Sequence, residues 1–484
     1  MHLNSSVSNK VISETIKSVK KSATIASKKE QNFNRQECWY PVCFVRDLSV
    51  NTIHSFSLDD EPFVLFKTQD GELACLLDRC PHRAAKLSDG RIIDGKIECS
   101  YHRWQFAPDG QCLDIPQLSA NAKIPLNACV QSFPVVESQG VIWMWSGETT
   151  SADQKSIPTV PDLDKLNCVT AEYMADAPYN QCYFVENIVD FGHIDSIHNG
   201  TLGNDKNIQA LEMEVTETSI KGFRGRFRYM RKPDAPWLEM SFIAPNFITY
   251  SCKVNPLQDW TWGVVCYSMP LSEDRCRILI RNYRNFMTGS MNLKPRWLDH
   301  MFQNKIFEED LQVIMGQQTQ MKLLRENWRK HYLPLKTSDL FILEYRKWLD
   351  RVDLSLPTDG NNLVSQSTNI QSSSTDIDHK FELKVNCSDR LSRHTLMCSS
   401  CKCAYQRIKI FQQICLVLAT LILVYAVTAE ALESQIAILY FIFAVTLGAF
   451  AHKLKTKFEV SHTPSQKNWL HWSFSQRIRN NSQT

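Results

Sequence analysis

Between Cys38 and Trp145 the chain sets short apolar runs against polar turn pairs. FVLFKT, LACLLD, KIECS and VIWMW are separated by QDGE, SDGR, IDGK and PDGQ. Apolar runs bounded by closely spaced Asp-Gly pairs are the mark of successive hairpins. Residues 37–150 are therefore predicted to form a small all-β domain. SIPTVPDLD, with its two prolines, reads as a connector to the next domain.

Residues 165–352 change character. FRGRFRYM, MSFIAPNFITYSC, TWGVVCYSM and CRILIRNYRNF read as strands, and KPRWLDHMFQNKIFEEDLQVIMGQQTQM as one or two helices. Strands followed by a long helix predict an α+β domain. Residues 353–385 are rich in Ser, Thr, Asn and Asp and read as a flexible linker. A cysteine-bearing segment, 386–409, leads into two apolar stretches within 410–452, Ile410–Ala429 and Ile436–Ala451.

The first stretch is about long enough to span a bilayer and the second nearly so. Lys402, Arg407 and Lys409 precede the pair, Lys453, Lys455 and Lys457 come after it, and the acidic EALESQ lies between. Both basic ends on one face predict a membrane hairpin with the soluble domains on the cytoplasmic or stromal side. The competing reading is two buried core helices. Residues 453–484 form a polar, basic tail, and residues 1–36 a Lys- and Ser-rich segment. The latter is read as a flexible tail, in preference to a membrane-surface helix or an Arg-favouring transit peptide.

Composition adds three limits. The chain has 484 residues, 43% hydrophobic and 22% charged, enough for two or three cored domains. A formal net charge of +3 argues neither for nor against a nucleic-acid partner, but no basic patch is interleaved with aromatics and no such partner is expected. Seventeen cysteines, an odd number, many of them single within apolar runs and with no secretory signal ahead of them, indicate a reducing compartment with a few thiols used for metal.

Candidate chemistry begins at CPHRAAKLSDGRIIDGKIECSYHRW. Cys80 and His82 lie at one end, Cys99 and His102 at the other. Two thiols and two imidazoles admit tetrahedral zinc or a Rieske [2Fe–2S] cluster, with two cysteines on one iron and two histidines on the other. One thiol and one imidazole in each short loop favours the cluster. CPHR followed by CSYHRWQF resembles the Rieske signature of ring-hydroxylating and related non-haem oxygenases. Arg103 stands where those families usually carry glycine, which leaves the local backbone conformation open.

A second constellation lies in VENIVDFGHIDSIHNG, where Asn187, Asp190, His193 and His198 are spaced N-x-x-D-x-x-H-x-x-x-x-H. Two histidines on a helix and the turn after it could supply two facial ligands to a mononuclear Fe(II), with a carboxylate as the third. Asp310, in FEEDLQVIMGQ, is the expected third ligand. Glu308 and Glu309 are expected to face elsewhere, as a solvated acidic stripe.

A CxxC pair, Cys398 and Cys401, precedes the apolar hairpin. It reads as a dithiol for exchange with a thioredoxin-like partner. It reads equally as reduced thiols near a membrane, or half of a zinc site whose partner pair is missing.

Taken together, the Rieske motif, the iron-site spacing, the CSSC segment and the two apolar stretches resemble the pheophorbide a oxygenase family over about residues 37–455. That family includes the lethal-leaf-spot suppressors and the translocon-associated Rieske proteins. The resemblance implies an all-β Rieske domain, a helix-grip (START-like) catalytic domain and a two-helix membrane hairpin. It implies a [2Fe–2S] cluster and non-haem Fe(II), a ferredoxin-type donor, O2, a chlorophyll-derived tetrapyrrole such as pheophorbide a, and a thylakoid or plastid-type membrane. It implies a homotrimer in which Asp190 links His193 to His82 or His102 of the partner subunit, Asn187 close to the iron, and an apolar cavity. Trp237, Phe242, Tyr250, Trp260 and Trp262 are candidates to line that cavity, against plain core packing. No nucleotide- or flavin-binding signature is visible, so the reductase is expected to be a separate protein. The alternatives are oxygenation of another porphyrin or apolar ring, and a thiol/Rieske redox sensor in the membrane.

Overall fold

The structure is a computed structural model that describes residues 33–352 and 389–460, apart from 120, 232–233, 290–293, 325–327 and 429. Most of the segments expected at 1–36, 353–385 and 453–484 lie outside the described residues.

The hairpin-rich first part folds into three small antiparallel sheets. Trp39–Phe44 pairs with Val141–Trp145, which pairs with Val135–Ser138. Ile53–Leu58, Glu61–Lys67, Leu73–Leu77 and Ser132–Phe133 form the second, and Arg91–Ile93, Lys96–Glu98, Gln105–Phe106 and Cys112–Asp114 the third. Three of the turn pairs, QDGE, IDGK and PDGQ, join paired strands as predicted, whereas SDGR follows a helical turn at Leu87–Asp89 and links two sheets. Asp94 and Gly95 join two strands with φ of +48° and +77°, the mirror-image turn that suits strand twist.

The second part is built on a seven-stranded antiparallel sheet, in the order Val169–Ala177, Arg275–Arg284, Trp260–Ser272, Phe247–Asn255, Leu238–Ile243, Gly222–Tyr229, Leu211–Ser219. The expected single strand MSFIAPNFITYSC is two strands, Leu238–Ile243 and Phe247–Asn255, folded back on each other with Ile243 opposite Phe247. Pro245 has no N–H for a ladder and sits in the reversal. The single helix Arg296–Leu324 is the longest element of this part, and Leu340–Arg351 closes it.

Strand alternation divides the sheet between two partners. On Arg275–Arg284, Cys276 and Ile278 pack among the helices, while Leu279 and Tyr283 enter a core shared with Trp39, Tyr40, Phe44, Trp143 and Trp145 of the first part. Val264 and Cys266 face the helices; Val265, Tyr267 and Met269 face the first part. Buried arginines fix that junction. Arg277 bonds Asp176 at 2.7 Å and reaches Val42 O and His54, and Arg281 bonds Glu172 at 2.7 Å and donates to Gln139 O of the first part. The connector is part of this core, with Ile157 and Val160 buried in it. The architecture is thus α+β, an all-β domain on one face of the sheet and the helices on the other.

The apolar stretches form two helices, Ser399–Thr428 and Ala431–Glu459. Small residues line their contact: Cys415, Ala419 and Ala426 on one, Ala437, Ala444 and Ala451 on the other, all buried. Small side chains let two helices approach closely. Leu416, Val417, Leu421, Val424, Leu439, Phe443 and Phe450 are exposed, so the pair is not a buried core. The hairpin base is seated on the catalytic domain. Trp297 and Met301 of the long helix pack against Cys398, Cys401, Tyr405 and Phe458.

Candidate iron and iron–sulfur sites

The loops after Leu77 and Glu98 carry the first constellation. Both make the same turn. Ala84 N–H donates to Cys80 O at 2.9 Å, and Arg103 N–H to Cys99 O at 3.0 Å. Ala84 and Arg103 both sit in the left-handed region, at φ +56° and +62°. Arg103 therefore keeps the conformation that glycine usually provides, and its guanidinium lies 3.2 Å from Glu98. Cys80 and Cys99 are buried, whereas His82 and His102 are only partly so. The two imidazoles meet edge to face with centroids 4.4 Å apart, and Trp104 stacks on His82 at 4.8 Å.

Buried His82 Nδ1 has no hydrogen-bond partner. An orphaned ring nitrogen beside a second imidazole, with the Cys80 and Cys99 thiols in contact, fits a cluster held by Cys80, Cys99, His82 and His102.

The second constellation is brought together by two helices and a turn. Asn187 lies on Gln181–Val189, and Asp190 is that helix's C-cap. Asp190 Oδ1 accepts the Gly192 N–H at 2.8 Å, which bends the chain sharply enough to start the short helix Ile194–Ile197. His193 and His198 cap its two ends. Asp310 comes from the long helix. His193 Nε2 lies 3.6 Å and His198 Nε2 3.3 Å from Asp310 Oδ1, and the potential ligand atoms of all three lie within 4.8 Å of one another. The Asn187 amide is 3.4 Å from His193 Nε2. Asp190 Oδ2 is 3.5 Å from His193 Nδ1.

The acidic neighbours are not a solvated stripe. Glu309 Oε2 accepts from His198 Nδ1 at 2.9 Å and from the Thr201 hydroxyl at 2.7 Å. Glu308 is buried and pairs with Arg390 at 2.6 Å and Arg393 at 3.4 Å. The physical reason is helix geometry. Three consecutive acids point in three directions about 100° apart, and this run lies between buried Phe307 and Leu311.

Burial works to lower the pKa of His193, but Asp190 and Asp310 outweigh it and leave it raised. Burial likewise opposes the charged form of His198, and Asp310 and Glu309 outweigh it. Three carboxylates around two imidazoles make a pocket that favours a cation. Two imidazoles and one carboxylate also fit the donor set of non-haem Fe(II).

Two cavities, about 300 and 130 Å³, meet at Asn187, Asp190, His193 and Asp310. The larger is lined by Ile314, Trp328, Tyr332 and Leu343, the smaller by Tyr173, Tyr179, Phe184 and Tyr250. Of the five aromatics expected at the cavity, Tyr250 alone lines it. Phe242 packs on Tyr345 and Trp348, Trp260 stacks on Phe286, Trp237 lies under Arg226 and Arg228, and Trp262 packs edge-on to Tyr250.

Comparison with known proteins agrees with this layout. Residues 38–134 match the Rieske [2Fe-2S] domain family and residues 242–328 the pheophorbide a oxygenase family. The chain is 31% identical over 454 residues to pheophorbide a oxygenase, chloroplastic, of Arabidopsis thaliana, covering 83% of this chain and 82% of that protein. It is 32% identical over 331 residues to protein TIC 55, chloroplastic, of Pisum sativum, covering 67% of this chain. The match spans only 60% of the length of that TIC 55 protein. In fold, the chain resembles dicamba monooxygenase bound to dicamba, with a TM-score of 0.56 at 23% identity, over 66% of this chain and 98% of that one.

Proposed function

The chain belongs to the pheophorbide a oxygenase family of Rieske non-haem iron oxygenases, and on that premise we propose that it inserts oxygen from O2 into a chlorophyll-derived tetrapyrrole. Its electrons come from a separate ferredoxin-type donor. The observation that carries this reading is the convergence of His193, His198 and Asp310 where two cavities meet. A site meant only to carry or sense electrons has no use for a substrate-sized space at that point.

Cys80, Cys99, His82 and His102 would hold the cluster, and His193, His198 and Asp310 the iron. When bound, the cluster supplies one-electron transfer and the iron supplies O2 activation. The chain's own groups prepare the iron site. Glu309 accepts a hydrogen bond from His198 Nδ1–H, which keeps the proton on that nitrogen and leaves the Nε2 lone pair directed at Asp310's side of the pocket. Asp190 stands against His193 Nδ1 with its side chain about a quarter exposed. In a homotrimer that exposed carboxylate would connect His193 with His82 or His102 of the partner subunit. Ile314, Trp328 and Leu343 would exclude water from the larger cavity and offer apolar surface to a flat macrocycle.

The helix hairpin gives the site a reason to sit at a membrane. Both helices contain an 18-residue stretch apolar enough to cross a bilayer. An amphipathic tetrapyrrole partitions toward such a surface. Basic residues at both outer ends would keep the soluble domains on the stromal side of a plastid-type membrane.

The test is O2 uptake by the full chain in lipid nanodiscs with reduced ferredoxin. A panel of tetrapyrroles is set beside flat apolar acids that lack the macrocycle. Uptake triggered by a free-carboxylate tetrapyrrole supports the proposal. Uptake only with the other acids moves the substrate class. Cluster reduction with no substrate-triggered uptake would favour the redox sensor.

A further inference from the structure

Outside both catalytic constellations, four metal-ligating side chains converge in a closed space. Cys398 and Cys401 come from the CxxC segment, His394 from the turn before it, and His300 from the long helix. All four are 1–2% exposed, and their potential ligand atoms lie within 4.8 Å of one another. His300 Nδ1 is 3.4 Å from both sulfurs, and His394 Nε2 is 3.3 Å from Cys401 Sγ. In a tetrahedral zinc site with Zn–S of about 2.3 Å and Zn–N of about 2.0–2.1 Å, the N···S edges are about 3.6 Å. The three N···S distances lie within about 0.3 Å of that edge, and the remaining ligand atoms lie within 4.8 Å of one another.

The second nitrogen of each ring fixes the tautomer. His300 Nε2 lies 2.6 Å from Glu172 O, and His394 Nδ1 lies 2.6 Å from Met174 O. A backbone carbonyl can only accept, so each of those nitrogens carries the proton. His300 Nδ1 and His394 Nε2 are left as lone pairs aimed at the thiols, the arrangement that metal-bound histidines adopt. Burial and neighbouring His300 also hold His394 neutral, with its pKa pushed down to about 3.

The geometry points to a structural zinc site formed by His300, His394, Cys398 and Cys401. Zinc binding would release two thiol protons to solvent and leave two thiolates, two neutral imidazoles and Zn2+. That set carries no net charge, as a buried site requires. The pair that CSSC lacks for a zinc site is therefore supplied by two histidines, one of them nearly a hundred residues upstream. The same burial argues against direct thiol exchange, because an attacking thiolate has no path to either sulfur. The ion would join the hairpin base to the helix that bears Glu309 and Asp310. Its presence does not depend on which substrate the catalytic pocket takes.

The experiment is metal analysis of the purified full chain in nanodiscs, followed by replacement with Co2+. About one zinc per chain is expected beside the iron. Co2+ should give the intense near-ultraviolet thiolate charge-transfer bands of a tetrahedral site. His394→Ala and Cys401→Ala should each reduce zinc at least tenfold while the Rieske EPR signal is unchanged. A wild-type chain without zinc that also fails to bind Co2+ in this way overturns the assignment. So does a Cys398–Cys401 disulfide in the purified chain, or iron in this position. These outcomes are read on the wild-type chain, so they hold even if a variant fails to fold.

Discussion

His198 holds Glu309 through Nδ1 at 2.9 Å while its other nitrogen faces the iron pocket. The pairing fixes the ring's tautomer and its angle to Asp310. Glu309→Gln should lower iron retention or turnover by about 10- to 100-fold, the usual effect of removing a carboxylate behind a metal-bound imidazole. Iron analysis and O2 uptake would measure it, with the cluster's visible spectrum unaltered. Full iron content and normal turnover in this variant would show the carboxylate to be incidental.

Asp190→Ala separates binding from turnover. Asp190 contacts His193 Nδ1 at 3.5 Å and is not within the set of close ligand atoms. The variant should keep both iron centres and lose activity by about 10- to 100-fold. Stopped-flow reduction should show the cluster reduced at the normal rate. Wild-type turnover would remove Asp190 from the route between subunits.

Arg103 tests how the second cluster loop is held. A left-handed residue other than glycine costs about 1–2 kcal/mol, yet glycine returns about 0.5–1 kcal/mol in chain entropy. The contact from the mostly exposed Arg103 guanidinium to buried Glu98 adds about 1 kcal/mol. Arg103→Gly should therefore be neutral to within about 1 kcal/mol and retain the cluster. Arg103→Val, β-branched and poorly suited to φ +62°, should lose cluster content. Equal cluster content in the two variants would mean that the turn does not hold the ligands.

The domain junction should weaken in acid. Burial, reinforced by the Arg277 guanidinium, pushes His54 down to about 3 from an ordinary 6.5. The folded state thus binds fewer protons than the unfolded one. The contribution is fully present above about pH 6.5 and is lost as pH falls toward 3, by up to about 1.4 kcal/mol per pH unit. Denaturation midpoints followed between roughly pH 6.5 and 5 should fall less steeply in His54→Gln than in the wild type. Parallel slopes would place the acid sensitivity elsewhere.

Much of this architecture is legible in the chain, for reasons that differ by region. Asp-Gly turns have few alternatives, so the β domain can be read from IDGK and its neighbours. The four cluster residues and the two iron-site histidines carry their meaning in local spacing. The long helix is harder. Its buried line runs His300, Asn304, Phe307, Leu311, Ile314, Gln318, Met321, and the polar members blur the apolar stripe. Tyr173 satisfies Asn304 at 3.0 Å and Asp274 satisfies Gln318 at 3.0 Å, contacts that exist only in the folded chain. The role of Glu309 is hidden for the same reason, because its contact to His198 exists only once the helix is seated. The cavity aromatics depend on strand facing, and the split at Pro245 alters the pattern from which it would be read.

The helix Ser399–Thr428 begins at the buried sulfur cluster and runs unbroken into the apolar stretch. About thirteen residues, near 20 Å of helix, separate Cys401 from the first fully apolar turn at Ile414. This makes the segment a stiff stalk and not a tether. Each residue in it sets the soluble domains about 1.5 Å higher and turns them by about 100°. If the hairpin is embedded, the compass bearing of the iron pocket over the bilayer is encoded in the length of that stalk.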